Sequence, residues 1–414
     1  EVEKELAIKN KKDIENLVPG DKKASIAKFV DLCKERVRKY SMIQTEQTKR
    51  LGNFMDWDHS YFTMSNENNY MIWHFLKVCH EKGWIYKSTD VVPWCPRCQT
   101  AISQHEILTE DYKEVTHDSL YLKLPMEGKD KEYLMVWTTT PWTVPANIAV
   151  AVDTDMEYAL VQEEGGDRCW VGKALVESVF GNISKTIVRL AKGKELIGWK
   201  YKGPFDHLPA ILNGRKEKES IFHTVIATDS RIMPISSEEG TGLVHTSTGT
   251  GEEDSKLGKK VGLPVISAIN DVAEYLPDFD FLSGKNAKKH PELILNYLKE
   301  QELQGQSWIF QIKPHKHRYP VCWRCKTELV WKVSEVWYIA MDKTENGKQK
   351  TENAKTLREQ MVETAKMITW HPEFGLDREL DWLSNMHDWL ISKKNRYWGL
   401  ALPIYECSHC GSFE

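Results

Sequence analysis

At 414 residues, with 41% hydrophobic and 28% charged side chains, the chain is long enough for two or three domains and has the balance of an ordinary soluble globular protein. No run of eighteen apolar residues occurs, so no transmembrane helix is expected. A net charge of −4 excludes a uniformly basic nucleic-acid coat, and any nucleic-acid partner has to be met by local basic patches.

Residues 1–60 are mostly polar. In "KASIAKFVDLCKERVRKYSMI", Ile26, Phe29, Val30, Cys33 and Val37 fall on one helical stripe. "TMSNENNYMIWHFLKVCHEKGW" predicts a second helix, capped by Ser65 and stopped at Gly83, with Ile72, Trp73, Phe75, Leu76 and Cys79 on its inner face. The texture changes near residue 113. "SLYLKL", "EYLMVWTTT", "NIAVAV", "EYALVQ", "RCWVG", "IVRL", "FHTVIAT" and "TGLVHTS" are short alternating or β-branched runs, separated by turns such as "EGKDK", "EEGGD" and "NGR". Two helices punctuate this region: "GEEDSKLGKKVG", closing on Gly262, and "HPELILNYLKEQEL". From about residue 315 a return to helical, Trp-rich chain is expected.

Six of the nine cysteines form Cys-x-x-Cys pairs: Cys95/Cys98, Cys322/Cys325 and Cys407/Cys410. The absence of a dense, evenly spaced framework points to a reducing compartment and metal ligation, not disulfides. "PWCPRCQT" and "PVCWRCKT" read as copies of one knuckle, and four thiolates make a closed structural zinc site. Cys322 lies 224 positions beyond Cys98, too far for a finger loop. The two knuckles therefore read as flanking an inserted domain whose ends lie close together. Two unrelated reduced pairs is the other reading. Cys407/Cys410 is a half-site with no partner pair left. The start at Glu1, not at a methionine, suggests a piece of a longer protein, with any targeting signal upstream of it.

"WTTTPWTVPANIAVAV" places Thr138, Thr139, Thr140 and Thr143 around Trp142. "EEGTGLVHTSTGTGEED" reads as strand, Gly-rich loop and helix start, with His245 on the strand and Asp254 in the first helical turn. Holding an α-amino acid ester takes a carboxylate for the ammonium, a small apolar wall, and hydroxyls for the ester and a water. These residues offer that set. Asp254 equally suits a first-turn acid favoured by the helix dipole, the threonines a strand exit, and His245 a satisfied core histidine.

Together these segments, with "MDWDHSYFTMSNENNYMIWHFL" and "DWLISKKNRYWG", resemble the isoleucyl-tRNA synthetases nearly end to end and in order. Valyl and leucyl relatives typically carry Thr-Thr-Arg-Pro where this chain has Thr138-Thr139-Thr140-Pro141. The resemblance implies an α/β fold: a partial class I Rossmann catalytic domain interrupted by a β-rich, barrel-like editing domain. Residues 1–112 would be a catalytic portion with the first zinc knuckle, 113–314 the editing insertion, and 315–414 the second knuckle and the return to the catalytic domain. It implies hydrolysis of valine misattached to tRNA(Ile), because a pocket alone gains only ~1–3 kcal/mol from one methylene, a limit usually illustrated with this very pair of amino acids.

Carried over, Thr138, Thr139, Thr140, His245 and Asp254 would be catalytic. Trp142, Thr143 and Asn147 would bind substrate, and Cys95, Cys98, Cys322 and Cys325 would hold Zn2+. ATP and Mg2+ would serve only the full-length enzyme, since neither His-x-Gly-His nor Lys-Met-Ser-Lys-Ser occurs. Expected partners are tRNA(Ile) and valine or isoleucine esters, with no membrane, in a cytoplasmic monomer. The family's Ala-Pro-Gly-His-Gly is here Ser247-Thr248-Gly249-Thr250-Gly251, a departure at the heart of the site. A stand-alone deacylase and a non-catalytic tRNA-binding zinc module are the alternatives.

Overall fold

A computed structural model describes residues 1–103, 106–107, 112–347 and 355–414. Its strands are β1 (Ile85–Cys95), β2 (Thr100–Ala101), β3 (Tyr112–Pro125), β4 (Glu132–Thr138), β5 (Ala149–Val152), β6 (Glu157–Glu163), β7 (Arg168–Gly172), β8 (Lys185–Lys192), β9 (Thr224–Ala227), β10 (Val244–Thr246), β11 (Ile309–Pro320), β12 (Val330–Ile339) and β13 (Trp389–Leu390). The chain divides into two compact units, one of Glu1–Thr89 with Glu335–Glu414, the other of Asp90–Ser334.

The first unit is mainly helical. Its long helix Lys22–Arg50 starts on the Asp21 side chain, which accepts the Ala24 N–H, and buries Ser25, Phe29 and Cys33. Val37, assigned to the same stripe, is exposed. Helix Asn66–Glu81 is capped by Ser65 as expected, and Gly83 follows with φ +69°. Leu76 and Cys79 pack with Trp84, Ile85 and Ile339, whereas Ile72 and Phe75 remain 40% exposed. Apolar residues ring more of this helix than one contact face can cover, so the inner face is narrower than predicted.

The second unit is β-rich. Six strands form a sheet in the order β11-β3-β4-β7-β6-β8, all neighbours antiparallel except β4 and β7. Met135, Ala159, Val161, Cys169 and Val171 pack from it onto Leu175, Val176, Val179 and Phe180. The Val, Leu, Met and Phe side chains among them contribute roughly 1.5–3 kcal/mol each when fully buried. A smaller sheet runs β10-β5-β9, with β5 antiparallel to β10 and parallel to β9. Among the described residues neither sheet closes on itself, so where a barrel-like domain is expected the mixed α/β chain has open sheets.

Two local expectations are corrected. Residues after 315 do not turn helical at once: β11 and β12 come first, and helices Leu357–Met367 and Gly375–Asn385 follow. "NGR" is not a turn but lies inside helix Pro209–Glu217, which Pro209 opens at its first position. Gly214 is buried there, and a Cβ would come within 2.9 Å of Ile266 Cδ1, so a larger residue would require Ile266 to move.

Candidate functional site

β4 ends at Thr138, and Pro141, with no N–H to donate, closes off any continuation of the ladder. Pro141 then opens a short 3-10 turn, Pro141–Ala146, capped at its C-terminal end by Asn147 before β5 begins. This reversal explains the hydroxyl-rich stretch. Thr138 and Thr140 stay at the strand exit, where the Thr140 N–H donates to Thr138 Oγ1 at 3.1 Å and the two hydroxyls lie 3.3 Å apart. Thr143 is carried over the turn, and its hydroxyl donates to the Thr140 carbonyl at 2.9 Å. Thr139 is half-buried and makes no side-chain hydrogen bond to a described residue. Trp142 is buried with its indole N–H unpaired, while its carbonyl accepts the Tyr275 hydroxyl at 2.7 Å.

His245 arrives from the neighbouring strand, since β10 pairs it with Val150 of β5. It is buried, and both ring nitrogens are engaged: Nε2 lies 3.0 Å from Thr143 Oγ1 and Nδ1 lies 2.7 Å from Asn147 Nδ2. The tautomer follows from the partners. Asn147 Nδ2 also lies 3.1 Å from the Ala149 carbonyl, which can only accept, so that atom is the amide nitrogen. It donates to His245 Nδ1, which must be unprotonated, and Nε2–H donates to Thr143. Burial lowers His245 to about 4, so the ring is neutral at physiological pH. Both lone-pair and proton positions are spent, which disfavours His245 as the group that deprotonates a water.

Asp254 sits in the first turn of helix Glu252–Val261 and accepts the Ser247 N–H at 3.2 Å, two residues past His245. Gly251 permits this approach, since a Cβ there would lie 2.5 Å from Asp254 Oδ2. Asp254 is partly buried, and desolvation pushes its carboxyl up to about 7. The altered loop is internally satisfied. Thr250 donates to Ser247 Oγ at 2.7 Å, Thr248 donates to the Pro264 carbonyl at 2.7 Å, and all three residues are buried. Gly249 passes so close to Ile266 that a Cβ would lie 1.8 Å from that carbonyl oxygen.

Thr138, Thr140, Thr143, Asn147 and His245 thus form one hydrogen-bonded chain, and Asp254 is tied to the strand end beside it. A second layer had no signal in the sequence reading. Tyr201 donates to Asn147 Oδ1 at 2.6 Å, and His223 Nε2 lies 3.2 Å from the Asn147 carbonyl. Their rings stack at 4.7 Å.

The four cysteines of the first two knuckles converge: the sulfurs of Cys95, Cys98, Cys322 and Cys325 all lie within 4.8 Å of one another. A tetrahedral Zn2+ with bonds of ~2.3 Å sets sulfurs ~3.8 Å apart, so the set fits that ion. Thiol hydrogen bonds, led in each case by Cys322, push Cys95 and Cys98 up and hold Cys325 well below the usual thiol range. Each knuckle closes alike. Gln99 and Lys326 take φ +51° and +58° and return their N–H groups to the carbonyls of Cys95 and Cys322, both at 2.7 Å. Gly411, at φ +69°, does the same to Cys407 at 2.9 Å, so the exposed Cys407/Cys410 pair has the fold of a third half-site.

Comparison with known proteins agrees in sequence. Isoleucine–tRNA ligases of Thermococcus kodakarensis, Pyrococcus furiosus and Methanocaldococcus jannaschii are 39%, 38% and 36% identical over 98–100% of this chain. The chain spans 36–37% of the length of these relatives. A solved editing domain of the P. knowlesi cytosolic leucyl-tRNA synthetase overlays 49% of the chain and all of that domain at 9% identity, with a TM-score of 0.33, too low to argue from. A family model, tRNA synthetases class I (I, L, M and V), matches residues 1–412, and the chain belongs to that family.

Proposed function

We propose that the chain is part of an isoleucine–tRNA ligase and carries the editing step, the hydrolysis of valine wrongly esterified to tRNA(Ile). The observation that carries this reading is the hydrogen-bonded Thr140–Thr143–His245–Asn147 set lying beside a partly buried carboxylate, Asp254. Asp254 takes the ammonium of the aminoacyl ester. That charge favours the ionised carboxylate, which burial alone resists. Thr138, Thr139 and Thr140 offer hydroxyls to the ester and to a water. Trp142, Thr143 and Asn147 form the wall that admits valine and excludes isoleucine by size. Water attacks the ester carbonyl, the bond to the ribose oxygen breaks, and that oxygen leaves protonated. His245 acts as a neutral positioner of Thr143, and a ribose hydroxyl of the tRNA end assists the proton transfer.

Residues 113–314 are the editing insertion in this reading, and 1–112 and 315–414 the flanking catalytic portions. Zn2+ at Cys95, Cys98, Cys322 and Cys325 supplies structural cross-linking and no reaction step. ATP and Mg2+ serve isoleucine activation in the full enzyme, in the cytoplasm. Hydrolysis of Val-tRNA(Ile) by the purified chain, with Ile-tRNA(Ile) as the ester to be spared, tests the proposal.

A further inference from the structure

Behind Asn147 lies a second polar layer that the catalytic reading leaves unused. Tyr201 is fully buried, and its hydroxyl is the donor to Asn147 Oδ1. With both amide hydrogens given to the Ala149 carbonyl and to His245 Nδ1, the Asn147 side chain has no freedom left. A rotation of that amide by half a turn would face its nitrogen to Tyr201 and its oxygen to His245. The His245 ring would then have to carry its proton on Nδ1, and Nε2 would become an acceptor towards Thr143.

The Tyr201 ring is itself braced. His223 stacks on it with an interplanar angle of 19° and bonds the Asn147 carbonyl through Nε2. His223 Nδ1 lies 3.2 Å from Asp206 Oδ1 without a hydrogen bond; its donor is Arg215 Nη2 at 3.4 Å, which also pairs with Asp206 Oδ2 at 2.8 Å. Space for this pair is reserved by Gly203, where a Cβ would come within 2.8 Å of both His223 Cε1 and Asp206 Oδ1. His223 also holds φ +47°, a left-handed conformation that costs a non-glycine residue energy and persists only where its surroundings over-determine it. Backbone and side chain of Asn147 are thus gripped from one side by a single stacked pair.

We propose that Tyr201 and His223 are positioning residues that lock the Asn147 amide and so keep His245 in the Nε2–H tautomer facing Thr143. The consequence for deacylation rests on the function proposed above, whereas the tautomer does not.

The experiment compares the parent chain with Tyr201→Phe, which keeps the stacked ring and removes the hydroxyl. Tyr319→Phe, which loses a similarly buried hydroxyl bonded to the Leu329 carbonyl, is the control. Histidine-selective 15N labelling reads the His245 ring nitrogens, assigned with His245→Gln, and hydrolysis of Val-tRNA(Ile) is followed in parallel. The parent is expected to show a single Nε2–H tautomer. Tyr201→Phe should show a mixture, with kcat down roughly tenfold, the equivalent of about one hydrogen bond, and KM little changed. Tyr319→Phe should match the parent in both readouts. If Tyr201→Phe does not fold, His223→Phe, which keeps a stacked ring and removes the Nε2 contact to the Asn147 carbonyl, tests the same lock. A lost tautomer in a chain that hydrolyses nothing would uphold the positioning claim and remove the deacylase reading. An Nδ1–H tautomer in the parent, or ring shifts unaltered in a folded Tyr201→Phe or His223→Phe chain, would overturn the inference.

Discussion

Asp254→Asn should make the protein more stable at alkaline pH while it disables the site. The fold raises the carboxyl from its usual 3.8 to about 7, chiefly by desolvation, against the lowering effect of the Ser247 N–H. An unfolded chain ionises Asp254 near pH 4, so the contribution to stability is intact below that pH and is lost as pH climbs through about 7. The full displacement corresponds to roughly 4 kcal/mol. Asp254 is only partly buried, so about 1–3 kcal/mol is the realistic gain once solvent screening is allowed for. Asparagine keeps an oxygen for the Ser247 N–H and carries no charge. At pH 8 the variant should therefore melt several degrees higher than the parent, at ~2–4 °C per kcal/mol for a domain of this size, and the two should coincide near pH 4. Thermal melts by circular dichroism from pH 4 to 9 give the comparison. Equal melting at every pH, or a less stable variant at pH 8, would refute the assignment of a strained carboxylate.

Other consequences are open to simple assays. Deacylation should fall as pH drops below about 7, because Asp254 then enters the complex protonated and the ammonium has to expel that proton; a rate flat from pH 5.5 to 8 contradicts this. Cys322→Ser should lower bound zinc measured by mass spectrometry to well under one equivalent and destabilise the β-rich unit, whereas Cys33→Ser, outside the cluster, should leave the metal content alone. Thr143→Val should cost roughly 1–3 kcal/mol in chemical denaturation, since it leaves the buried His245 Nε2–H without an acceptor. Gly251→Ala should displace Asp254 and reduce valine release more than it reduces stability, with Gly165→Ala, which meets nothing within 4 Å, as the neutral control.

The hydroxyl-rich stretch, His245, Asp254 and the paired cysteines were legible because each is a local motif of distinctive composition. What joins them was not. The pairing of Val150 with His245 is a register between strands nearly a hundred residues apart, and only that register delivers the imidazole to Thr143 and Asn147. Tyr201 comes from "WKYKGPFDH", which carries no motif, and His223 from "FHTVIAT", which reads as a strand with nothing to give its histidine a role. β11 escaped notice because "IFQIKPHKHRYP" hides its alternation behind His, Lys and Arg. As the edge of the six-stranded sheet it carries those charges to solvent, a common protection of edge strands. Asn213-Gly214 reads as a turn, but helix Pro209–Glu217, opened by Pro209 and burying Ala210 and Ile211, runs through it.

A working valine-releasing site, in this reading, is built on Asp254 and the threonine turn. Its most direct test is hydrolysis of Val-tRNA(Ile) against Ile-tRNA(Ile) by the folded, zinc-loaded chain, with Asp254→Ala alongside. The parent should release valine selectively and the variant should release none. Equal treatment of the two esters, or valine release that survives loss of Asp254, would contradict it.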